Sequence, residues 1–383
     1  MPFLSDELLD RIHDRAPQFD AENSFPYQDY EELREAGYYA AFVPKEYGGA
    51  GLSLTEIAAE QTRLAKAAPA TALGINMHQI IVGLGRYIAR HGNPAGEQIL
   101  RDAAAGELFG FGISEPGNDL VLFGSTTEAR PEEGGTYSFH GTKVFTSLAP
   151  AWTRLLTFGA DAVSEDAPKS VFGVLKRDDG GFQIKDDWHV LGMRATQSNT
   201  TVLTGALVPA DQVLARVDPS PNLDPVVLGI FTNFEVLLAA TYAGVGERAI
   251  EVAAEHVKTR KSVMNQDVYA NDPAIRWRLA DAAIAMNAVG PQIRELASLV
   301  ESDEAPSLAW LPRFSAVKNA ASEASLHTVE QAVRASGGSA YYDKNELSRL
   351  YRDVLAGLFQ PSDQESLHAA WANMVLGPVT PKE

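Results

Sequence analysis

Residues 111–150 read FGISEPGNDL VLFGSTTEAR PEEGGTYSFH GTKVFTSLAP. The first part, Ser114-Glu115-Pro116-Gly117-Asn118-Asp119, is rich in turn formers, and Pro116 with Gly117 breaks the strand that leads into it. The break leaves a hydroxyl and several backbone N–H groups free, which suits a ligand rich in acceptors. The second part closes an alternating run with Lys143-Val144-Phe145-Thr146-Ser147. In a strand, the period of two would put Phe145 and Ser147 on one face, an aromatic plate beside a hydroxyl. A flat heteroaromatic ligand would stack there. The competing reading is a surface hairpin with an ordinary turn and one buried Phe.

Working outward, short β-branched and aromatic runs parted by Gly, Pro and acidic turns continue from about 107 to 215, for example Val171-Phe172-Gly173-Val174-Leu175. Pro219, Pro221 and Pro225 then mark a linker. On both sides the period changes to helical. Before the β region, helices are expected over 4–18, 27–36, 53–67, 72–91 and 94–104, with Ser53 or Thr55 as a cap. After it, they are expected over 234–260, 273–302, 307–336, which stops at Gly337-Gly338, and 363–375. The expected fold class is α+β: an N-terminal helical domain (1–106), a middle β-barrel-like domain (107–217) and a C-terminal four-helix bundle (226–383) available for self-association.

Composition narrows the partners. The 383 residues carry a formal charge of −18, which repels a polyphosphate backbone, and no basic cluster offsets it. Nucleic acid and anionic membrane are therefore not expected as partners. The chain has no Cys, which removes disulfides and thiolate chemistry. The amphipathic, acidic N-terminus and the lack of eighteen consecutive apolar residues point to a soluble, cytoplasmic protein. The His residues show no metal-ligand spacing, so no metal is expected.

With that domain order, the chain resembles the acyl-CoA dehydrogenase superfamily over nearly its whole length. Val43-Pro44-Lys45-Glu46-Tyr47-Gly48-Gly49, Ser114-Glu115-Pro116-Gly117, Gly141-Thr142-Lys143-Val144-Phe145-Thr146-Ser147, Leu191-Gly192-Met193-Arg194, Gly337-Gly338-Ser339-Ala340-Tyr341 and Arg349-Leu350-Tyr351-Arg352-Asp353 follow in that family's order. The resemblance implies a flavin: FAD, with FMN or a diffusible reduced flavin as alternatives. It also implies a homodimer or homotetramer, and a small-molecule substrate such as an acyl-CoA. By position, the backbone of Phe111 and Ile113 and the hydroxyl of Ser114 would meet the polar edge of the ring. Phe145 would lie against the ring and Ser147 would reach its reactive centre. Arg260, Arg334, Gly337 and Gly338 remain from the elements that bind the dinucleotide end.

Three departures redirect the reading. The family's catalytic Glu falls on Pro361, and the alternative place for a base, next to Arg260, holds Lys261. The loop after Gly117 is shortened, and a Phe and a Gln of the dinucleotide elements are missing. These losses resemble the branch of two-component flavin monooxygenases, which take reduced flavin from a separate reductase and need no α-proton base. There, His78, Ser147 and Gln360 would be the working groups. His78 also reads as a core histidine satisfied by hydrogen bonding. The alternatives are a dehydrogenase that recruits Asp363 or Glu365, which otherwise read as helix-start residues, and a non-catalytic homologue that binds a ligand.

Overall fold

The structure is a computed structural model describing residues 2–379. Five helices come first: α1 (Asp6–Glu22), α2 (Tyr27–Glu35), α3 (Leu54–Ala67), α4 (Pro69–Arg90) and α5 (Pro94–Ala104). Ser53 caps α3 in a full capping box with Glu56, which satisfies two N–H groups that the helix start would leave bare. Nearly every residue of α4 is buried, because it packs on α3, α5 and the centre of the C-terminal bundle as well as on the sheet. Its sequence, apolar all round, fits that enclosure.

The middle region holds β1 (Phe109–Gly112), β2 (Glu128–Pro131), β3 (Tyr137–Lys143), β4 (Arg154–Asp161), β5 (Lys169–Lys176), β6 (Phe182–Ile184), β7 (Thr201–Val208) and β8 (Val213–Val217). The sheet runs β6-β7-β3-β2-β4-β5-β8, with β1 also paired to β4. β1 lies parallel to the first half of β4, Phe109 opposite Arg154 and Gly112 opposite Thr157, while β2 meets β4 only at Ala160. The sheet thus divides past Gly112, and one edge of β1 has no strand beside it.

Residues Pro225–Thr259 form α6, followed by a hairpin of β9 (Lys261–Ser262) and β10 (Asp267–Val268). Then come α7 (Pro273–Asn287), α8 (Val289–Glu301), α9 (Trp310–Ser336), α10 (Glu346–Val354) and α11 (Gln364–Leu376). The sequence reading has no helix where α10 lies, and two further differences turn on a proline. Pro225 opens α6 instead of closing the linker: Asp224 caps the helix by accepting from Val226 N–H, and a proline at the first position forfeits no helical bond. The expected 273–302 helix is two helices that meet at Ala288. Pro291 explains the break, since it has no N–H for the carbonyl four residues back and its ring crowds that carbonyl. α6 is long and apolar enough to cross a membrane, but it is the buried axis of the bundle, packed on α3, α4 and α9.

Candidate active site

The free edge of β1 is the start of the site. Leu108 C=O accepts from Arg154 N–H and Gly112 C=O accepts from Thr157 Oγ1, so these even-numbered residues face β4. By the alternation of a strand, Phe109, Phe111 and Ile113 aim their N–H and C=O groups the other way. His78, from α4, takes the first of them: its Nδ1 accepts from Phe109 N–H at 3.2 Å. The ring proton is therefore on Nε2, which donates to Tyr39 C=O at 2.8 Å. Burial holds the His78 pKa down at about 4, so the ring is neutral. His78 does not line the cavity described below, and both its nitrogens are engaged. The geometry therefore gives it the work of fixing β1 to the 38–44 loop, which is the second of its two sequence readings, a core histidine satisfied by hydrogen bonds.

Past Ile113 the chain makes the turn expected from Pro116 and Gly117, and a buried carboxylate ties it together. Glu115 accepts from Lys143 Nζ at 2.6 Å, from Asn118 Nδ2, from the hydroxyls of Ser125 and Thr126, and from the N–H groups of Thr126 and Thr127. Against the cost of burial, Lys143 and these donors hold the Glu115 pKa down at about 2, so it stays ionised. Lys143 is wholly buried and also donates to Phe158 C=O at 2.7 Å. Burial lowers its pKa to about 8, which still leaves the pair charged at neutral pH.

The segment after β3 departs from the strand geometry expected of it. β3 ends at Lys143; Phe145 and Leu148 have φ of 56° and 66°, and Ser147 N–H donates back to Phe145 C=O at 2.9 Å. Phe145 and Ser147 do reach one cavity, but through a tight turn and not through a shared strand face. Side chains rarely adopt such φ values, and strain of this kind persists where the surroundings fix it. Phe145 is 64% exposed although it lines a cavity, and its ring stands nearly perpendicular to that of Trp188 with centroids 6.1 Å apart. Ser147 Oγ is 2.7 Å from Ser198 Oγ, which is 2.7 Å from Thr196 Oγ1.

The 188–198 loop that supplies those hydroxyls is docked on α10. Asp353 accepts from Met193 N–H at 2.6 Å, and Arg352 donates to Leu191 C=O at 2.9 Å while pairing with Asp20. Burial raises the Asp353 pKa to about 6. Gly192 is obligatory here: a Cβ would stand 2.1 Å from Arg352 C=O. The two sequence motifs, Leu-Gly-Met-Arg and Arg-Asp, are thus the two sides of one contact.

The opposite wall is the 355–361 segment. Gln360 lines the cavity, and its Oε1 accepts from Tyr242 O–H at 2.8 Å, which turns its amide N–H groups away from α6. Lys318 of α9 donates to the carbonyls of Gly357 at 2.8 Å, Gln360 at 2.6 Å and Ser362 at 3.1 Å. Burial lowers its pKa to about 8. Behind this segment Glu235 is fully buried and accepts from Ser362 Oγ at 2.8 Å, and burial raises its pKa. These walls enclose a cavity of about 560 Å³, within the range of small-molecule sites. Leu73, Met77, Phe234, Leu355 and Phe359 make much of the lining apolar.

The structure brings together Phe111, Ile113, Ser114, Phe145, Ser147 and Gln360, all of which line this cavity. It does not bring the rest. Asp363 caps α11, accepting from Ser366 N–H, and Glu365 is exposed; neither lines the cavity. Arg260, with Lys261, lies beyond the far end of α6, where Arg260 donates to Ser336 C=O and its guanidinium covers Tyr269. At 1.5 Å per helical residue that is roughly 40 Å from Phe234. Arg334 is exposed at the same end, beside Gly337 and Gly338. Sequence reading missed Phe234, Tyr242, Lys318 and the roles of Thr196 and Ser198. Lys318, a lone cation in an apolar helix stretch, was the one available signal.

The chain belongs to the acyl-CoA dehydrogenase family: residues 4–107 match that family's N-terminal domain and 236–359 its C-terminal domain. Among its relatives, L-evernosamine nitrososynthase of a Micromonospora species is 30% identical over 363 residues, which cover 92% of this chain and 84% of that protein. The putative acyl-CoA dehydrogenase YdbM of Bacillus subtilis is 26% identical over 370 residues, 92% of this chain and 91% of that one. Among solved structures, KijD3 in complex with FMN and dTDP-3-amino-2,3,6-trideoxy-4-keto-3-methyl-D-glucose superposes with a TM-score of 0.86 at 25% identity. The match covers 98% of this chain and 93% of that chain.

Proposed function

We propose that this protein is a flavin-dependent oxidoreductase that oxygenates a small organic substrate with reduced flavin and O2, in preference to desaturating an acyl-CoA. One observation carries the preference. Among the described residues, Glu115 is the only carboxylate that lines the cavity, and its oxygens are committed to Lys143, Asn118 and the 125–127 loop. Removal of an α-proton needs a base within reach, and a carboxylate held ionised by so many donors is a weak one. Asp363 and Glu365, the bases considered for desaturation, lie outside the cavity.

The residues present fit a flavin ring. The outward N–H and C=O groups of Phe111 and Ile113 offer the alternating donors and acceptors that a lactam edge requires, and Ser114 adds a hydroxyl beside them. Phe145 supplies an open aromatic plate, held in place by its turn and by Trp188. A bound reduced flavin would supply the electrons and the point of O2 activation. The chain's own part is to orient the ring, to keep water out with Trp188, Phe234 and Leu355, and to present Ser147 and Gln360 to the reacting side. A relative whose name denotes nitroso formation, an oxidation that places oxygen on nitrogen, and a structural neighbour bound to FMN support this reading.

Within one chain, Arg260, Arg334, Gly337 and Gly338 are too distant to meet the same flavin, so an FAD adenylate would have its candidate partners only on a second copy. Exposed Val263, Met264, Trp277 and Ile284 on the β9–β10 hairpin and α7 support self-association through the bundle. A separate flavin reductase and a cytoplasmic location belong to the same proposal.

The deciding experiment is an anaerobic titration of the flavin-loaded protein with short- and medium-chain acyl-CoA. The expected outcome is no bleaching of the flavin; bleaching would return the chain to the dehydrogenases. Failure of FMN and FAD alike to bind would favour the non-catalytic homologue.

A further inference from the structure

The three hydroxyls on the cavity wall can be oriented by elimination. Thr196 Oγ1 lies 2.8 Å from Met193 C=O, and a carbonyl carries no hydrogen, so the hydrogen between them belongs to Thr196. That is its only one. The 2.7 Å contact between Thr196 Oγ1 and Ser198 Oγ therefore uses the hydrogen of Ser198. The 2.7 Å contact between Ser198 Oγ and Ser147 Oγ in turn uses the hydrogen of Ser147. The chain has one sense: Ser147 donates to Ser198, Ser198 to Thr196, and Thr196 to Met193 C=O.

The end of the chain is anchored. Thr196 N–H also donates to Met193 C=O, at 3.1 Å, and Asp353 holds Met193 N–H from the other side. All three hydroxyl residues are buried and all three line the cavity. Ser147, with its hydrogen turned into the wall, has only lone pairs left for whatever enters.

We propose that Ser198 and Thr196 are positioning residues that make Ser147 a hydrogen-bond acceptor, and that the cavity thereby selects the reduced form of a flavin over the oxidised form. The proposal rests on the flavin reading above. Two-electron reduction of an isoalloxazine places a hydrogen on a ring nitrogen that is bare in the oxidised ring. The lactam N–H, present in both forms, is matched by the free edge of β1 and gives no preference. At Ser147 the oxidised ring presents lone pair to lone pair, whereas the reduced ring presents N–H to an acceptor. One hydrogen bond gained against one unmet acceptor corresponds to about a tenfold difference in Kd.

The test uses the full-length protein under anaerobic conditions, titrated with FMN and separately with dithionite-reduced FMN, the Kd read by equilibrium dialysis. The wild type is expected to bind reduced FMN about tenfold more tightly. Ser198→Ala frees the Ser147 hydrogen to turn toward the ring, and the ratio is expected to fall to near one. Ser198→Thr restores a hydroxyl at that position and is expected to restore the ratio. A purely structural role for Ser198 would weaken both redox forms in proportion and leave the ratio unchanged, which overturns the proposal, as do equal affinities in the wild type. Should Ser198→Ala fail to fold, Thr196→Val interrupts the same chain one link further on and carries the same expectation. Binding of neither redox form overturns the flavin reading instead, so the two failures are distinguishable.

Discussion

His78 is the sharpest place to test how the site is built, because its sequence position allowed both proton chemistry and a core role, and the structure assigns it the role of a brace. Its ring is fully buried, with its pKa lowered by burial from 6.5 to about 4. In the unfolded chain the same ring takes up a proton near 6.5. Between those values the unfolded state holds more protons than the folded one, so stability falls as pH drops through that window and is fully present above it. The full difference is about 3 kcal/mol at about 1.4 kcal/mol per pKa unit, and about 2 kcal/mol of it is lost by about pH 5. His78→Gln offers an acceptor for Phe109 N–H and a donor for Tyr39 C=O without titrating. The variant should be destabilised by about 1–2 kcal/mol at neutral pH. Its loss of stability between about pH 7.5 and about pH 5 should be smaller than that of the wild type by about 2 kcal/mol. Urea unfolding at the two pH values, followed by far-UV circular dichroism, measures both quantities. Identical pH dependence in variant and wild type would refute the assignment of a neutral, buried brace.

Three further outcomes follow from the same geometry. Lys143→Met leaves the Glu115 carboxylate buried without its counter-charge and should cost about 3–5 kcal/mol, with Glu115→Gln in the same chain recovering part of it; additive effects in that double-mutant cycle would count against the pair. Gly192→Ala drives a Cβ into Arg352 C=O, so it should destabilise by about 1–3 kcal/mol and weaken FMN binding, whereas Gly290→Ala, whose Cβ would meet only the flexible end of the Arg294 side chain, should do neither. Lys318→Met removes three hydrogen bonds to the 357–362 carbonyls and should speed hydrogen exchange in that segment while leaving β3 and β7 protected; uniform exchange across the molecule would contradict a local tether.

Much of the architecture was legible in the chain. Local chemistry marks the helix starts at Ser53 and at Asn93, whose side chain accepts from Ala95 N–H at the head of α5, the turn at Pro116-Gly117 and the shift of period near 107, since caps, prolines and periodicity act within a few residues. The family motifs placed Ser114, Phe145, Ser147 and Gln360 at one cavity because they are the ends of elements whose order is fixed. The same reading mistook Pro225 for a linker and ran α7 into α8, where one proline's position within a turn decides between opening a helix and breaking it.

Tertiary structure alone decided what the groups do. His78 on an apolar helix is compatible with catalysis or with support, and only the arrival of Phe109 N–H and Tyr39 C=O, each more than thirty residues away, consumes both its nitrogens. Asp363 and Glu365 stand close in sequence to the position of a missing base, yet the start of α11 carries them off the cavity. The polarity of Ser147 is set by Ser198, Thr196 and a carbonyl some fifty residues downstream, itself held by Asp353 from the last helical bundle. A sequence specifies which side chains own hydrogens; which way each hydrogen points depends on the partner that folding brings to its other side.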